Sequence, residues 1–124
     1  MRYWSPLASH AAWMTRLREY IYGSGQMDGE AVADDHDCEI GRWLYGEGSK
    51  HRELLEYQHA RYLHAAVHRR AAKVVNLVER GRRLEAAADL ASGGELRALS
   101  GALAQAFNRL NKRLMETERG SLSA

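Results

Sequence analysis

Residues 50–80 read KHRELLEYQHARYLHAAVHRRAAKVVNLVER, a long stretch with a helical pattern and neither proline nor glycine. Residues that can pack in a core recur every three or four positions. They are mostly apolar or small, with two histidines and the aliphatic part of one arginine: Leu54, Tyr57, Arg61, His64, Val67, His68, Ala71, Val74, Val75 and Val78. Because an α-helix turns once per about 3.6 residues, this spacing places them along one face. The stretch therefore predicts one long amphipathic helix with two histidines on its inner face, ending at Gly81.

Long helices are also predicted on both sides of this stretch. Ser5 followed by Pro6 is typical of a helix start, and apolar residues at helical spacing continue to Ile21. We expect residues 23–34 to form a connection with at most one helical turn. The last long helix, over residues 95–118, has leucine or phenylalanine every three or four positions on one side.

Shorter helices are predicted between the long ones. Asp34 and Asp35 are expected to cap a short helix that carries Cys38 and ends at Gly46. A second short helix is expected over residues 83–91. The pattern as a whole predicts an all-α fold, an antiparallel helical bundle that resembles a four-helix bundle with short helices between long ones.

The composition restricts the possible functions. A chain of 124 residues suits one domain, which we predict over residues 1–124. Its 18 basic and 16 acidic residues nearly cancel, which argues against a nucleic-acid-binding surface. A single cysteine cannot form an internal disulfide and is typical of a reducing compartment. No stretch reaches the roughly 18 apolar residues of a membrane span, and residues 1–13 lack a signal-peptide core. We therefore expect a cytoplasmic protein without membrane contact.

Histidine and cysteine positions indicate a metal site. Only His64 and His68, of six histidines, have the i, i+4 spacing that lets two imidazoles on one helix face reach a single ion. His10 falls on the apolar stripe of the first helix, and Cys38 lies near the start of a short helix, where the helix dipole favours a thiolate. Each residue taken alone is better explained as part of an ordinary core, and only the four together favour a metal site. Spacing alone leaves zinc binding and plain packing about equally favoured.

Three short motifs extend this observation. The sequence reads HAAW over residues 10–13, CEIGRWLYG over residues 38–46 and HAAVH over residues 64–68, with gaps of 28 and 26 residues between the first residues. This order and spacing resemble those of the chemoreceptor zinc-binding (CZB) family, most closely over about residues 7–82. The resemblance implies one Zn(II) held by four ligands, which are His10, Cys38, His64 and His68.

The resemblance also implies a function. CZB domains are usually regulatory parts of bacterial signalling proteins such as chemoreceptors and diguanylate cyclases, so we expect an output partner of that kind. Four protein ligands would leave no open position on zinc, which argues against an enzyme. Oxidation of the Cys38 thiolate by hypochlorous acid, or loss of zinc itself, would then act as the switch. A homodimer is possible through exposed aromatic residues such as Tyr3, Trp4 and Tyr62.

Expectations for neighbouring residues follow. We expect Trp43 to pack over the metal site. His36 and Asp37 flank Cys38 and could hydrogen-bond to the ligands, although His36 is more simply explained as a solvent-exposed residue. His51 and His59 are expected on the surface.

Two other functions fit a helical bundle. A di-iron protein similar to hemerythrin needs several histidines and bridging carboxylates, whereas this sequence has one match to its patterns, from Glu56 to His59. A metal-free helical interaction module is the other alternative.

Overall fold

The computed structural model describes residues 5–123, and the side chains of residues 5–117. Tyr3 and Trp4, expected at a dimer interface, lie outside this range. The helices are α1 (Pro6–Ile21), α2 (Gly29–Ala33), α3 (Glu39–Tyr45), a 3-10 helix (Glu47–His51), α4 (Leu55–Glu79), α5 (Arg83–Leu90) and α6 (Glu95–Ser123). No strand occurs within residues 5–123, which confirms the predicted all-α bundle.

The bundle is built on an antiparallel pair, α4 and α6. Near the end of the bundle where α6 begins, Arg70 of α4 pairs with Glu95 at 2.9 Å. At the other end, Leu55 of α4 and Arg109 of α6 line one surface cavity. Core residues come from all six α-helices, including Leu17, Val32, Leu44, Val74, Ala86 and Phe107. The predicted long amphipathic helix is therefore the central element of the core.

Helix ends agree with the sequence in most places. Ser5 caps α1, with its hydroxyl accepting from the Ala8 amide at 3.1 Å, and Pro6 is the first helical residue. Gly81, just after α4, has a φ of 79°, a left-handed conformation that favours glycine. The last helix extends to Ser123, five residues beyond its predicted end.

The start of the longest predicted helix was placed too early. α4 begins at Leu55 and not near Lys50, because residues 47–51 form a separate 3-10 helix. Gly48 of that 3-10 helix packs closely on Trp43, where a Cβ atom would lie 2.7 Å from the ring. The 3-10 helix is therefore packed against α3 before α4 begins.

The predicted cap of the short helix was also wrong. The N-cap of α3 is Cys38 itself, whose sulfur accepts from the Gly41 amide at 3.3 Å. Asp34 instead accepts from the His36 amide within the preceding turn. That turn lies directly against α3, since a Cβ atom on Gly41 would be 2.0 Å from the Asp35 carbonyl oxygen. Glycine at position 41 is therefore what allows the turn and the helix to approach each other.

Among the described residues, no helix is both long enough and apolar enough to cross a lipid bilayer.

Candidate metal centre

Two histidines of α4 lie at the centre of the candidate site. His64 and His68 are 1% and 4% exposed, one helical turn apart on the inner face. Their Nε2 atoms are 3.1 Å from each other. Burying two imidazoles with their nitrogens facing is unfavourable unless a proton or a metal ion lies between them.

Cys38 completes a triangle of ligand-type atoms. Its Sγ lies 3.1 Å from His64 Nε2 and 3.5 Å from His68 Nε2. Tetrahedral zinc with Zn–N near 2.0–2.1 Å and Zn–S near 2.3 Å separates its ligand atoms by about 3.3–3.6 Å. The three side chains therefore fit a shared zinc ion with very small shifts, and they form a group of possible metal ligands.

A backbone carbonyl determines which nitrogen of His68 faces the triangle. His68 Nδ1 lies 2.7 Å from the carbonyl oxygen of Val32, and a carbonyl only accepts, so Nδ1 carries the proton. The Nε2 atom of the neutral ring then carries a free lone pair, which metal coordination requires. Val32 belongs to α2, a segment that the sequence predicted as a connection, and no side-chain pattern could have revealed this carbonyl.

His64 has fewer hydrogen bonds to orient its ring than His68 has. Its Nδ1 is buried and has no hydrogen-bond partner among the described residues. Its Nε2 faces both Cys38 and His68. An imidazole buried in this way is oriented by what its Nε2 contacts, which is consistent with a ligand position.

Burial keeps the cluster uncharged before metal binds. It lowers the pKa of His64 to about 3, with a further contribution from His68. The pKa of His68 is also lowered, mainly by burial, despite its bond to Val32. Burial raises the pKa of the Cys38 thiol, although backbone amides such as that of Gly41 oppose the shift. At neutral pH the site therefore offers two imidazole lone pairs and one protonated thiol.

His10 is near this triangle but not in it. It lines the same cavity of about 240 Å³ as Cys38, His64 and His68. Its Nε2, however, lies 2.5 Å from the hydroxyl of Ser100 on α6. Neither ring nitrogen is within 4.8 Å of all three triangle atoms. Three of the four predicted ligands are thus brought together, and the fourth is adjacent.

Trp13 is an aromatic residue beside the triangle of Cys38, His64 and His68. Its ring centroid lies 4.8 Å from that of His68 and 6.1 Å from that of His10. The ring centroid of Trp43, the residue that we predicted to pack over the metal site, lies 6.4 Å from that of His51, and the Trp43 ring packs on Gly48. Trp13 follows His10 by one helical turn, a spacing that could have indicated its position.

The turn that leads into Cys38 is held by Tyr45. The Tyr45 hydroxyl donates to Asp35 at 2.6 Å, and burial followed by this bond raises the pKa of Tyr45 to about 12. His36 stacks on the Tyr45 ring at 3.9 Å. Asp34, Asp35 and His36 also form a possible metal group, but Asp34 and His36 are exposed, and His36 Nδ1 lies 3.5 Å from Asp34 Oδ1 and 3.2 Å from Asp35 Oδ1.

The residues expected of a di-iron site lie elsewhere. Glu56 and His59 line a separate surface cavity of about 490 Å³ together with Leu55 and Arg109. Neither belongs to a group of possible metal ligands within the described part of the chain. The geometry therefore favours the mixed cysteine and histidine site.

Comparison with known proteins agrees with this site. The family described as the chemoreceptor zinc-binding domain matches residues 10–75, more than half of the chain. The match begins at His10 and includes Cys38, His64 and His68. No curated protein and no solved structure matches the chain.

Proposed function

Because the chain belongs to the chemoreceptor zinc-binding domain family, we propose that it is a regulatory domain that binds one zinc ion through His10, Cys38, His64 and His68. The triangle of Cys38, His64 and His68 carries this proposal, since its three ligand atoms already have the spacing of a tetrahedral site. The ion supplies the positive charge that keeps the Cys38 sulfur a thiolate when bound.

His10 is the proposed fourth ligand. It faces the same cavity from α1, and its pKa is lowered to about 4, first by burial and then by His68, so the ring is neutral at physiological pH. With His10 in place, all four positions of a tetrahedral ion are filled by the protein. A closed site of this kind favours a structural or sensing role over catalysis.

We propose that Cys38 is the responsive ligand. In oxidation by hypochlorous acid, the thiolate and HOCl give a sulfenic acid and a chloride ion, so that sulfur is oxidised and chlorine is reduced. A sulfenic acid is a weaker metal ligand than a thiolate. Cys38 also precedes a helix of only seven residues, which can move more easily than the long helices that carry the histidines.

The signal is proposed to pass to a bacterial output partner of the chemoreceptor or diguanylate cyclase type, in the cytoplasm. A homodimer remains a proposal as well. Its support in the described residues is the exposure of Leu55 and Tyr62 on α4, at 76% and 66%. Sedimentation over a range of concentrations tests the dimer, and a monomer at every concentration would contradict it.

The decisive experiment is metal analysis of purified protein. We expect about one zinc per chain and no iron. A His64→Ala, His68→Ala double variant should lose the metal, whereas His59→Ala, which removes an exposed histidine from the same helix, should keep it. Full zinc occupancy in the double variant, or two metal ions per parent chain, would overturn the assignment.

A further inference from the structure

The contact between His10 and Ser100 adds a polar link between α1 and α6, two helices that also pack against each other in the core. His10 is on α1 and Ser100 is on α6, 90 positions later in the chain, and the two side chains meet in a part-buried hydrogen bond of 2.5 Å. The bond uses the same type of ring nitrogen, Nε2, with which His64 and His68 face Cys38.

We propose that Ser100 competes with zinc for His10, so that metal binding breaks a contact between α1 and α6. This inference rests on the proposed zinc site and adds a residue that regulates it. A neutral imidazole has a single lone pair, and Nε2 cannot serve the serine hydroxyl and a metal ion at the same time. His10 therefore has two alternative partners. One is the Ser100 hydroxyl on α6, and the other is a zinc ion held by Cys38, His64 and His68.

The positions of the rings agree with an exchange between partners. His10 stacks on Trp13, whose ring in turn contacts that of His68, so the three rings form a continuous set of contacts beside the triangle. The cavity of about 240 Å³ that all these residues line provides room for the imidazole to turn towards Cys38. Because α1 contributes His10 and Trp13 to the lining of this cavity, a rotation of the His10 side chain is the movement that the exchange requires of α1 in this proposal.

A serine that merely oriented His10 as a ligand would place the ring differently. An orienting partner binds one ring nitrogen while the other faces the metal. Here neither nitrogen of His10 lies within 4.8 Å of all three triangle atoms. Ser100 thus holds the imidazole away from the metal position.

The consequence is a mechanical link between the metal site and α6. With zinc absent, the His10–Ser100 bond ties α1 to the longest helix of the bundle. With zinc bound, this bond is lost and the metal adds a link from α1 to α3 and α4, which α1 already contacts, for example through the hydrogen bond between Ser9 and Glu39. Zinc occupancy would therefore exchange one polar link of α1, to α6, for another, through the metal to α3 and α4, a local change of the kind that can act as a switch in a regulatory domain.

The test is the zinc affinity of Ser100→Ala, measured by competition with a chelator of known affinity. Removing the competing hydroxyl should tighten zinc binding by roughly 2- to 10-fold, the value of one neutral hydrogen bond. Alanine also favours helix formation, so Asn108→Ala, an exposed substitution on the same helix, is the control and should leave the affinity unchanged. In a His10→Ala background, Ser100→Ala should have no effect on affinity.

A second measurement follows the ring itself. The 15N resonance of His10 Nε2 should shift on zinc addition from a hydrogen-bonded to a metal-bound value. In Ser100→Ala, the metal-bound position should be unchanged and the metal-free position should differ from that of the parent. These shifts report on the partner of His10 independently of the affinity.

The outcomes separate this inference from the proposed function. If Ser100→Ala weakens zinc binding, the serine orients His10, and an unchanged affinity means that no competition exists; either result overturns the inference and leaves the zinc site intact. If His10→Ala binds one zinc as tightly as the parent, His10 is not a ligand and the inference also fails. A parent protein that binds no zinc would overturn the proposed function, and the inference with it.

Discussion

His64 and His68 show how far single residues could be predicted from the sequence. Their i, i+4 spacing placed both on the inner face of one helix, and the structure buries both with their Nε2 atoms 3.1 Å apart. The tautomer of His68 could not be predicted, because it depends on the backbone carbonyl of Val32, 36 positions earlier. Side-chain patterns contain no information about where a distant carbonyl points.

Zinc binding should release about one proton per chain near neutral pH. The lowered pKa values of His10 and His64, about 4 and 3, mean that these rings are already neutral, whereas the Cys38 thiol, with its raised pKa, must lose its proton. Zinc affinity should therefore rise with pH as long as the thiol is protonated. Calorimetry in buffers of different ionisation enthalpy counts the protons.

Cys38→Ala is the matched control for this proton count. It should release almost no proton, since no thiol remains to be ionised. Release of two or more protons by the parent would mean that the histidines are charged before the metal binds, which would contradict the burial argument.

Metal-free protein should lose stability as the pH falls below about 6.5, which is the usual pKa of histidine in an unfolded chain. The folded-state pKa values of His10 and His64 are lowered to about 4 and 3. Between these values the unfolded chain binds protons that the folded chain excludes, so stability present above about 6.5 is lost progressively on acidification. Urea unfolding at several pH values from 7.5 to 5 measures this slope.

A His64→Gln variant should show a shallower slope, because one of the depressed groups is gone. His59→Gln, which alters an exposed histidine of the same helix, should retain the parental slope. Equal slopes in all three proteins would show that burial of the imidazoles does not determine the acid sensitivity.

Among the elements, the long helices could be predicted and the short ones only in part. The period of α4 and the Ser5–Pro6 start of α1 are local signals, and both were confirmed. The start of α3 depends instead on how the turn at Asp35 packs against Gly41, a contact between neighbouring segments. Acidic residues near a helix suggested a cap there, but tertiary packing gave that position to Cys38.

Gly41→Ala should therefore disrupt the Cys38 turn. The added Cβ would lie 2.0 Å from the Asp35 carbonyl oxygen, which is backbone and cannot simply rotate away. We expect a loss of about 2 kcal/mol or more in the free energy of unfolding. Zinc occupancy should also fall, since the turn positions the sulfur. Chemical unfolding of the metal-free protein and metal analysis measure the two effects separately.

Gly101→Ala provides the matched control on α6. Gly101 is exposed, and outside the adjacent backbone of its own helix no atom would lie within 4 Å of its added Cβ. The substitution should raise the free energy of unfolding by about 0.5–1 kcal/mol, because alanine favours helix over glycine. If Gly41→Ala behaved like Gly101→Ala, the close approach of the turn to α3 would not be required for folding.

On the scale of the whole molecule, the core of the bundle depends less on the metal ligands than the Cys38 segment does. The antiparallel contact of α4 with α6 buries residues such as Val74, Leu103 and Phe107 without help from the metal ligands. The segment that carries Cys38 places fewer side chains in the core than α4 or α6 does. It is held by Ile40 and Leu44 in the core, and by a hydrogen bond from the Tyr57 hydroxyl to the Leu44 carbonyl.

This difference in packing predicts that loss of the Cys38 ligand raises the mobility of one segment and leaves the rest of the bundle unchanged. In Cys38→Ala, zinc should still bind through the three histidines, more weakly, and amide exchange should rise over residues 34–46. Exchange should stay low over residues 67–78, where α4 is packed against α2 and α6. A segment can open in this way without global unfolding when its own buried contacts are few. Hydrogen exchange of the zinc-loaded variant and parent is the measurement.

The pattern of exchange decides between a local switch and a staple for the whole fold. Ile40 and Leu44 should limit the opening, so the amides around Leu44 should exchange more slowly than those of the turn at residues 34–38 even in the variant. Mildly oxidised parent protein should show the same pattern, because a sulfenic acid also removes the thiolate. A uniform rise throughout the bundle would show that zinc stabilises every helix together, and an unchanged pattern would show that Cys38 does not bind the metal.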